Sequence, residues 1–145
     1  MKERRALANV ESSLAKAATP FFIATAVVEL GAGLVLLAAP AAVIRLLFGS
    51  AVAIFPAVGI ARVTGVALLT LAAACWWAGA DQASAAAKGL VGAMLIYNAG
   101  VPLLVLFGSL GPLGPLQWAA VLLHTALGIW CVRILADPVS AMGRR

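Results

Sequence analysis

Four long apolar runs dominate the pattern of hydrophobic and polar positions along the chain. They cover residues 21–39, 57–78, 89–108 and 117–136. Each is close to the roughly 20 residues that an α-helix needs to cross the hydrocarbon core of a bilayer. Prolines and glycines stand at or near the ends of the runs, where they begin or stop a helix. The pattern therefore predicts four transmembrane helices.

The segments on either side of the first run are predicted to lie at the membrane surface. Residues 1–19 place apolar side chains on one helical face and charged side chains elsewhere, which is typical of an amphipathic cytoplasmic leader. Residues 40–56 contain an apolar stretch that Arg45 interrupts, and this pattern predicts an outer interfacial or re-entrant segment. All 145 residues are expected to form a single membrane domain.

The composition leads to the same conclusion. Hydrophobic residues make up 64% of the chain and charged residues 10%, and the mean hydropathy is +1.09. Soluble domains are about 45–50% apolar and about 25% charged, and a chain this short has too little interior to bury so much apolar surface. Soluble globular, disordered and coiled-coil proteins are therefore excluded. The predicted fold class is an all-α integral membrane protein, an antiparallel bundle of four transmembrane helices.

A cleaved signal peptide is an alternative interpretation of the first run. Residues 37–39 are similar to a small-residue cleavage site. The polar leader of about 20 residues and the presence of Glu29 in the middle of the run argue against this alternative. We therefore expect the first run to remain in the mature protein as a helix.

The positive charges predict the orientation of the four helices. With the N-terminus inside the cell, Arg45 is the one basic residue beside the outer ends of the spans. The inner side then carries Lys2, Arg4, Arg5, Lys16, Lys88, Arg133, Arg144 and Arg145. Because cytoplasmic loops are enriched in Lys and Arg, both termini are predicted to be cytoplasmic. We expect the protein to lie in the inner membrane of a bacterium.

The net charge and the cysteines indicate neither nucleic-acid binding nor a metal site. The net charge is +5, but the basic residues follow the membrane topology and form no stripe interleaved with aromatic residues. Cys75 and Cys131 lie in separate apolar runs, without a C-x-x-C motif or a Cys/His cluster. Both are interpreted as small buried hydrophobic residues. The sequence identifies no cofactor.

Each predicted helix carries one strongly polar residue inside its span, namely Glu29, Arg62, Asn98 and His124. At a rise of about 1.5 Å per residue, they lie about 15, 8–16, 14 and 10 Å below the outer ends of their helices. An ionisable side chain at the centre of a bilayer costs at least about 2.5–3.5 kcal/mol unless it finds a partner. We therefore expect the four residues to converge as a ligand-binding or ion-binding site, and we assign no catalytic residue.

Within this predicted cluster, Glu29 and Arg62 are expected to form an ion pair, whose charges are interpreted either as structural or as functional. His124 is either a neutral imidazole that is hydrogen-bonded between helices, or a proton relay or a ligand contact. Tyr97 is a packing residue whose hydroxyl is a further candidate for the site. Pro102 predicts a kink in the third helix, since it cannot donate to the backbone carbonyl four residues before it.

Small residues predict where the helices approach one another closely. They are Gly31 and Gly33 in the first helix, Ala61 and Gly65 in the second, and Gly128 in the fourth. Side chains this small let two helix backbones come into contact. Such residues are common in membrane helices, so they predict packing and no particular function.

The sequence leaves three functions open. The first is a non-catalytic subunit or accessory protein of a membrane complex, since nearly the whole chain is assigned to the membrane. The second is a small oligomeric transporter, channel or ligand-binding protein that uses Glu29 and His124 for proton or cation coupling. The third is a quinone-linked or other membrane enzyme, although common catalytic motifs are missing and we do not expect catalysis. The expected partners are the lipid bilayer and either further copies of the chain or other membrane subunits, with a small-molecule ligand left open.

Overall fold

Five α-helices make up the part of the chain that the computed structural model describes, which is residues 2–48, 54–82, 84–108 and 113–136. The helices are α1 (Lys2–Ala38), α2 (Pro40–Phe48), α3 (Ile54–Ala80), α4 (Ala85–Gly108) and α5 (Pro115–Ala136). No strand occurs in these described ranges. The all-helical prediction is confirmed for this part of the chain.

Four of these helices are long and apolar enough to cross a membrane. The candidate spans are Ala18–Ala38, Pro56–Ala80, Ala85–Gly108 and Pro115–Ala136. Their outward faces expose many large hydrophobic side chains, and Ile96 and Phe107 are 77% and 83% exposed. An apolar surface of this extent is unfavourable in water and suits the acyl chains of lipids. The chain is therefore an integral membrane protein with four apolar helices, as the pattern predicts.

Helix α1 is longer than the sequence pattern predicts. It continues without interruption through Pro20, where the pattern places the boundary between a surface leader and a span. Pro20 has no N–H to donate to the carbonyl of Lys16, and this loss normally weakens a helix. Phe21 and Phe22 follow it directly and are 0% and 1% exposed. Tertiary packing of these two rings therefore holds the helix together across the proline.

The segment after α1 is a short helix rather than an irregular turn. The carbonyl of Ala39 accepts hydrogen bonds from the N–H groups of Ala42 and Val43, at 3.1 and 3.2 Å. Helix α2 then buries Ile44 and exposes Arg45, and it contacts α1, α3 and α5. Its exposed side carries Arg45 together with the apolar side chains of Leu46 and Phe48. The part of the predicted interfacial segment over residues 49–53 lies outside the described residues.

Helices α4 and α5 begin earlier than predicted because polar side chains cap them. The hydroxyl oxygen of Ser84 accepts the N–H of Ala87 at 3.1 Å, so α4 begins at residue 85 instead of 89. Oε1 of Gln117 accepts the N–H of Gly114 at 2.8 Å, so α5 begins at residue 115 instead of 117. In this bond the side chain of Gln117, the third helical residue, accepts from the backbone N–H of Gly114, the N-cap residue, as in one of the two hydrogen bonds of a capping box.

The closest approach between α1 and α3 occurs at Gly33 and Gly65. A Cβ atom on Gly33 would lie 2.9 Å from the carbonyl oxygen of Gly65, and one on Gly65 would lie 3.0 Å from that of Gly33. Glycine is therefore required at both positions, and Ala61, one turn before Gly65, is also buried. Gly128 packs against α4. The prediction for Gly31 is wrong, because a Cβ there meets open space.

The buried core receives side chains from α1, α3, α4 and α5. Its largest fully buried members include Phe21, Phe22, Cys75, Met94 and Cys131. Cys75 and Cys131 are unoxidised and both 0% exposed, which confirms that they act as buried hydrophobic residues. The polar residues of the candidate site are embedded beside this apolar core.

Candidate functional site

Glu29 lies in the middle of the α1 span and is 1% exposed. Its Oε2 atom accepts a long hydrogen bond of 3.4 Å from the hydroxyl of Tyr97 on α4. Its Oε1 atom has no hydrogen-bond partner. An ionised carboxylate in such surroundings carries a large desolvation cost unless a cation or a set of hydrogen bonds compensates it. Among the described residues, Glu29 has neither a paired cation nor a full set of hydrogen bonds.

Asn98 on α4 connects its own helix to α5. Its Nδ2 atom donates to the backbone carbonyl of Met94 at 2.8 Å, and its Oδ1 atom lies 2.8 Å from Nδ1 of His124. A carbonyl oxygen only accepts, so the Met94 carbonyl fixes the orientation of the amide. Because Oδ1 also only accepts, Nδ1 of His124 must carry a hydrogen. The atom at which neutral His124 takes up a proton is therefore Nε2.

Tyr97 joins Glu29 to His124. Its hydroxyl donates to Glu29, while its ring meets the imidazole of His124 edge to face, with the ring centroids 5.2 Å apart. Both Tyr97 and His124 are half-buried, whereas Glu29 and Asn98 are almost fully buried. The four residues form one polar cluster that connects α1, α4 and α5, and the name polar cluster refers to these four residues below.

Arg62 does not belong to the polar cluster. Its side chain is exposed on the surface of α3, and it forms no ion pair with Glu29 or with any other side chain in the described ranges. The expected pairing of Glu29 with Arg62 is wrong, because α3 turns Ala61 and Gly65 toward α1 and leaves Arg62 on the outer face. Glu29 is therefore left without a basic partner among these residues.

Thr25 is a buried polar residue that sequence reasoning missed. It lies one helical turn before Glu29 on the same helix and is 0% exposed. Its hydroxyl oxygen has no hydrogen-bond partner. A threonine in an apolar run normally bonds to a carbonyl of its own helix, as Thr64 does with Ile60 at 3.0 Å. The spacing of four residues from Glu29 is the signal by which it could have been found.

Pro102 lies within α4, which continues as helix to Gly108. Because Pro102 has no N–H, the backbone carbonyl of Asn98 lacks its usual helical donor. This carbonyl faces α5, where a Cβ atom on Gly128 would lie 3.8 Å from its oxygen. The carbonyl that lacks its usual donor is therefore covered by protein, as the interior of a membrane requires.

An apolar groove of about 470 Å³ lies between α1 and α3. Leu30 and Leu34 of α1 line it, together with Leu69, Trp76 and Trp77 of α3. None of the polar-cluster residues lines this groove. It is a separate apolar feature of the membrane-facing surface.

The polar cluster has the composition of a proton-binding site. It offers a carboxyl group, a phenol hydroxyl, an amide and an imidazole, which are groups that accept, donate and transfer protons. Within the ranges that the structure covers, no group of three or more His, Cys, Asp or Glu side chains lies close enough to hold a metal ion.

Comparison with known proteins identifies no relative of the chain. No family model, curated protein or solved structure matches the chain.

Proposed function

We propose that the chain is a small proton-coupled membrane transporter or channel in which Glu29 binds and releases the proton. The observation that carries the proposal is that Glu29 is 1% exposed inside a span, with one oxygen unpartnered and no basic side chain paired with it among the described residues. A structural carboxylate would need such a partner. A carboxyl that exchanges a proton does not, and intramembrane acidic residues commonly mark proton or ion pathways.

The other members of the polar cluster support this role. The hydroxyl of Tyr97 holds one oxygen of Glu29, and the ring of Tyr97 contacts His124. Asn98 holds His124 through Nδ1, which leaves Nε2 of a half-buried imidazole as the second proton-binding atom. We propose that His124 exchanges protons with a less buried environment and that Glu29 is the buried binding group.

The arrangement in the membrane is part of the same proposal. We propose an antiparallel bundle of four transmembrane helices with both termini cytoplasmic, in a bacterial inner membrane and assembled as an oligomer. The excess of Lys and Arg on the predicted inner side supports the orientation. The large exposed apolar faces of α3 and α4 supply surface on which further copies could pack.

Proton movement into sealed vesicles tests the proposal. The purified protein is reconstituted in liposomes that contain a pH-sensitive dye, and a membrane potential is imposed to drive protons inward. The wild type is expected to acidify the interior faster than protein-free liposomes, and Glu29→Gln is expected to remove this difference, since an amide cannot carry the proton.

Asp81→Asn is the matched control, because Asp81 is an exposed acidic residue outside the spans. It is expected to acidify the vesicles at the wild-type rate. A wild-type rate equal to that of protein-free liposomes contradicts proton movement by this chain alone. An undiminished rate in Glu29→Gln contradicts the role of Glu29.

A second candidate function, a subunit of a larger membrane complex, is favoured by Arg62. This residue is exposed on α3, about 9 Å into the span that begins at Pro56. An exposed arginine at this depth is stabilised by an acidic side chain of another subunit or by a lipid phosphate. Native mass spectrometry after gentle extraction distinguishes the two candidate functions. If the chain is a subunit, a second protein is expected to be bound to the wild type and lost in Arg62→Gln. If the chain is a self-contained transporter, only copies of the chain are expected.

A further inference from the structure

Two oxygen atoms inside the α1 span are buried without a hydrogen-bond partner. They are Oγ1 of Thr25 and Oε1 of Glu29, on side chains that are 0% and 1% exposed. An unsatisfied buried polar atom costs about 1–3 kcal/mol. Thr64 and Thr70 are exposed, and even so their hydroxyls donate to carbonyls of their own helix, at 3.0 and 2.7 Å. Thr25 does not, although it stands in the same kind of helix.

The spacing of the two residues suits one bridging molecule. Side chains four residues apart on a helix face the same side, with Cβ atoms about 5–6 Å apart. The two oxygens are nevertheless not hydrogen-bonded to each other, and one small molecule that makes a hydrogen bond of about 2.8 Å to each oxygen would satisfy both. A water molecule between two such oxygens donates to one and accepts from the other, and buried waters bridge polar groups of this kind.

We propose that Thr25 and Glu29 hold a single water molecule, and that this water carries the proton between Glu29 and the N-terminal end of the α1 span. The inference rests on the proposed proton binding at Glu29. The hydroxyl of Thr25 donates to the water, and the water donates to Oε1 of the carboxylate. When a proton arrives at the water from the N-terminal side, the water passes one of its own protons to Glu29 and is itself restored.

The two sides of Glu29 then have different roles. Thr25 lies about 6 Å closer than Glu29 to the N-terminal end of the span, because four residues rise by that distance. Tyr97 of α4 donates to Glu29, and the ring of Tyr97 contacts His124 of α5. In this inference the Thr25 water serves the N-terminal side of Glu29 along α1, whereas Tyr97 and His124 serve the side of Glu29 that faces α4 and α5.

Infrared spectroscopy with oxygen-18 water tests the proposal. The O–H stretching band of an internal water shifts on this exchange, whereas the bands of protein hydroxyls do not. A shifting band from a single water is expected in the wild type and is expected to be lost in Thr25→Val. It is expected to persist in Thr25→Ser, which keeps the hydroxyl, and in the matched control Thr64→Val, whose exposed hydroxyl bonds to its own helix.

The kinetic measurement is a pH jump followed through the C=O band of protonated Glu29. Thr25→Val is expected to slow the appearance of this band roughly tenfold, the effect of losing one hydrogen bond along the route. Thr25→Ser and Thr64→Val are expected to keep the wild-type rate. A water band and a rate that survive in Thr25→Val overturn the inference.

The outcomes separate this inference from the proposed function. If the carboxyl band of Glu29 titrates normally in Thr25→Val while the water band is unchanged, the water site is wrong and proton binding at Glu29 stands. If the wild type lacks a titrating Glu29 band, the proposed function fails first. If Thr25→Val does not fold, Glu29→Gln is measured in its place. The water band is then expected to shift, because the acceptor of the water's hydrogen bond changes from a carboxyl to an amide. An unshifted band overturns the inference.

Discussion

Asn98 and Glu29 are both almost fully buried polar residues, but they differ in how their polar atoms are satisfied. Asn98 donates to Met94 and accepts from His124, both at 2.8 Å. Glu29 has one long contact and one unpartnered oxygen. A satisfied buried polar group stabilises a fold, whereas an unsatisfied one lowers stability and calls for another explanation. At the scale of single residues, Asn98 therefore positions His124, and the unsatisfied Glu29 is the residue to which the proposed function assigns proton binding.

Replacing Asn98 with leucine tests this positioning role. Asn98→Leu removes both hydrogen bonds and leaves Nδ1 of His124 without its acceptor, so we expect a loss of about 1–3 kcal/mol in the free energy of unfolding. We also expect the imidazole to lose its preference for hydrogen on Nδ1. Because His124 is the only histidine in the chain, nitrogen NMR of the labelled protein reports this tautomer directly. An unchanged tautomer in the variant contradicts the role of Asn98.

At the scale of elements, the contact between α1 and α3 depends on two glycines rather than on polar groups. Gly33 and Gly65 bring the two backbones so close that an added Cβ would lie about 3 Å from the opposite carbonyl oxygen. Glu29 lies one turn before Gly33 on α1. A change in this crossing therefore also changes the position of the carboxyl group relative to α4.

Alanine substitutions test the crossing. Gly33→Ala is expected to destabilise the protein by about 1–3 kcal/mol, because the methyl group forces the two helices apart. Gly31→Ala is the matched control: the same change is made two residues earlier, where a Cβ meets open space. Unfolding followed by circular dichroism in detergent measures both variants. Equal stabilities of the two variants contradict a glycine-dependent contact.

The sequence predicted the number of helices better than the faces that they bury. Length and apolar composition alone set the spans, so the prediction of four was confirmed. Helix α3 is apolar on nearly all sides, so no periodicity shows which side faces the protein. The depth of Arg62 in its span therefore predicts that it joins Glu29. Its exposure in the structure depends instead on the rotation of α3, which turns Ala61 and Gly65 toward α1. Thr25 was missed because threonine is unremarkable in an apolar run.

At the scale of the whole molecule, the charges are distributed unequally between the two ends. Residues 30–80 contain Arg45 and Arg62 and no acidic residue, and residues 99–123 contain no charged residue at all. Most other charged residues belong to the two terminal segments and to the connection between α3 and α4, which the proposed antiparallel arrangement places at the other end of the bundle. Arg144 and Arg145, which contribute to this asymmetry, lie outside the described residues. The excess of positive charge is the basis for proposing that both termini are cytoplasmic.

Reporter fusions test this topology. A reporter that is active only in the cytoplasm is expected to be active at both the N-terminus and the C-terminus. A reporter that is active only outside the cytoplasm is expected to be inactive at both positions and active when inserted at residue 50, between α2 and α3. Opposite activities at the two termini contradict an even number of spans.

The most direct test of the central claim is infrared difference spectroscopy of the protein in lipid across a pH titration. If Glu29 binds a proton inside the membrane, a C=O stretching band of a protonated carboxyl group appears on acidification. The band is expected to be missing in Glu29→Gln and unchanged in Asp81→Asn, since Asp81 is exposed outside the spans. Identical titrating bands in the wild type and in Glu29→Gln would contradict the claim that Glu29 is the proton-binding group.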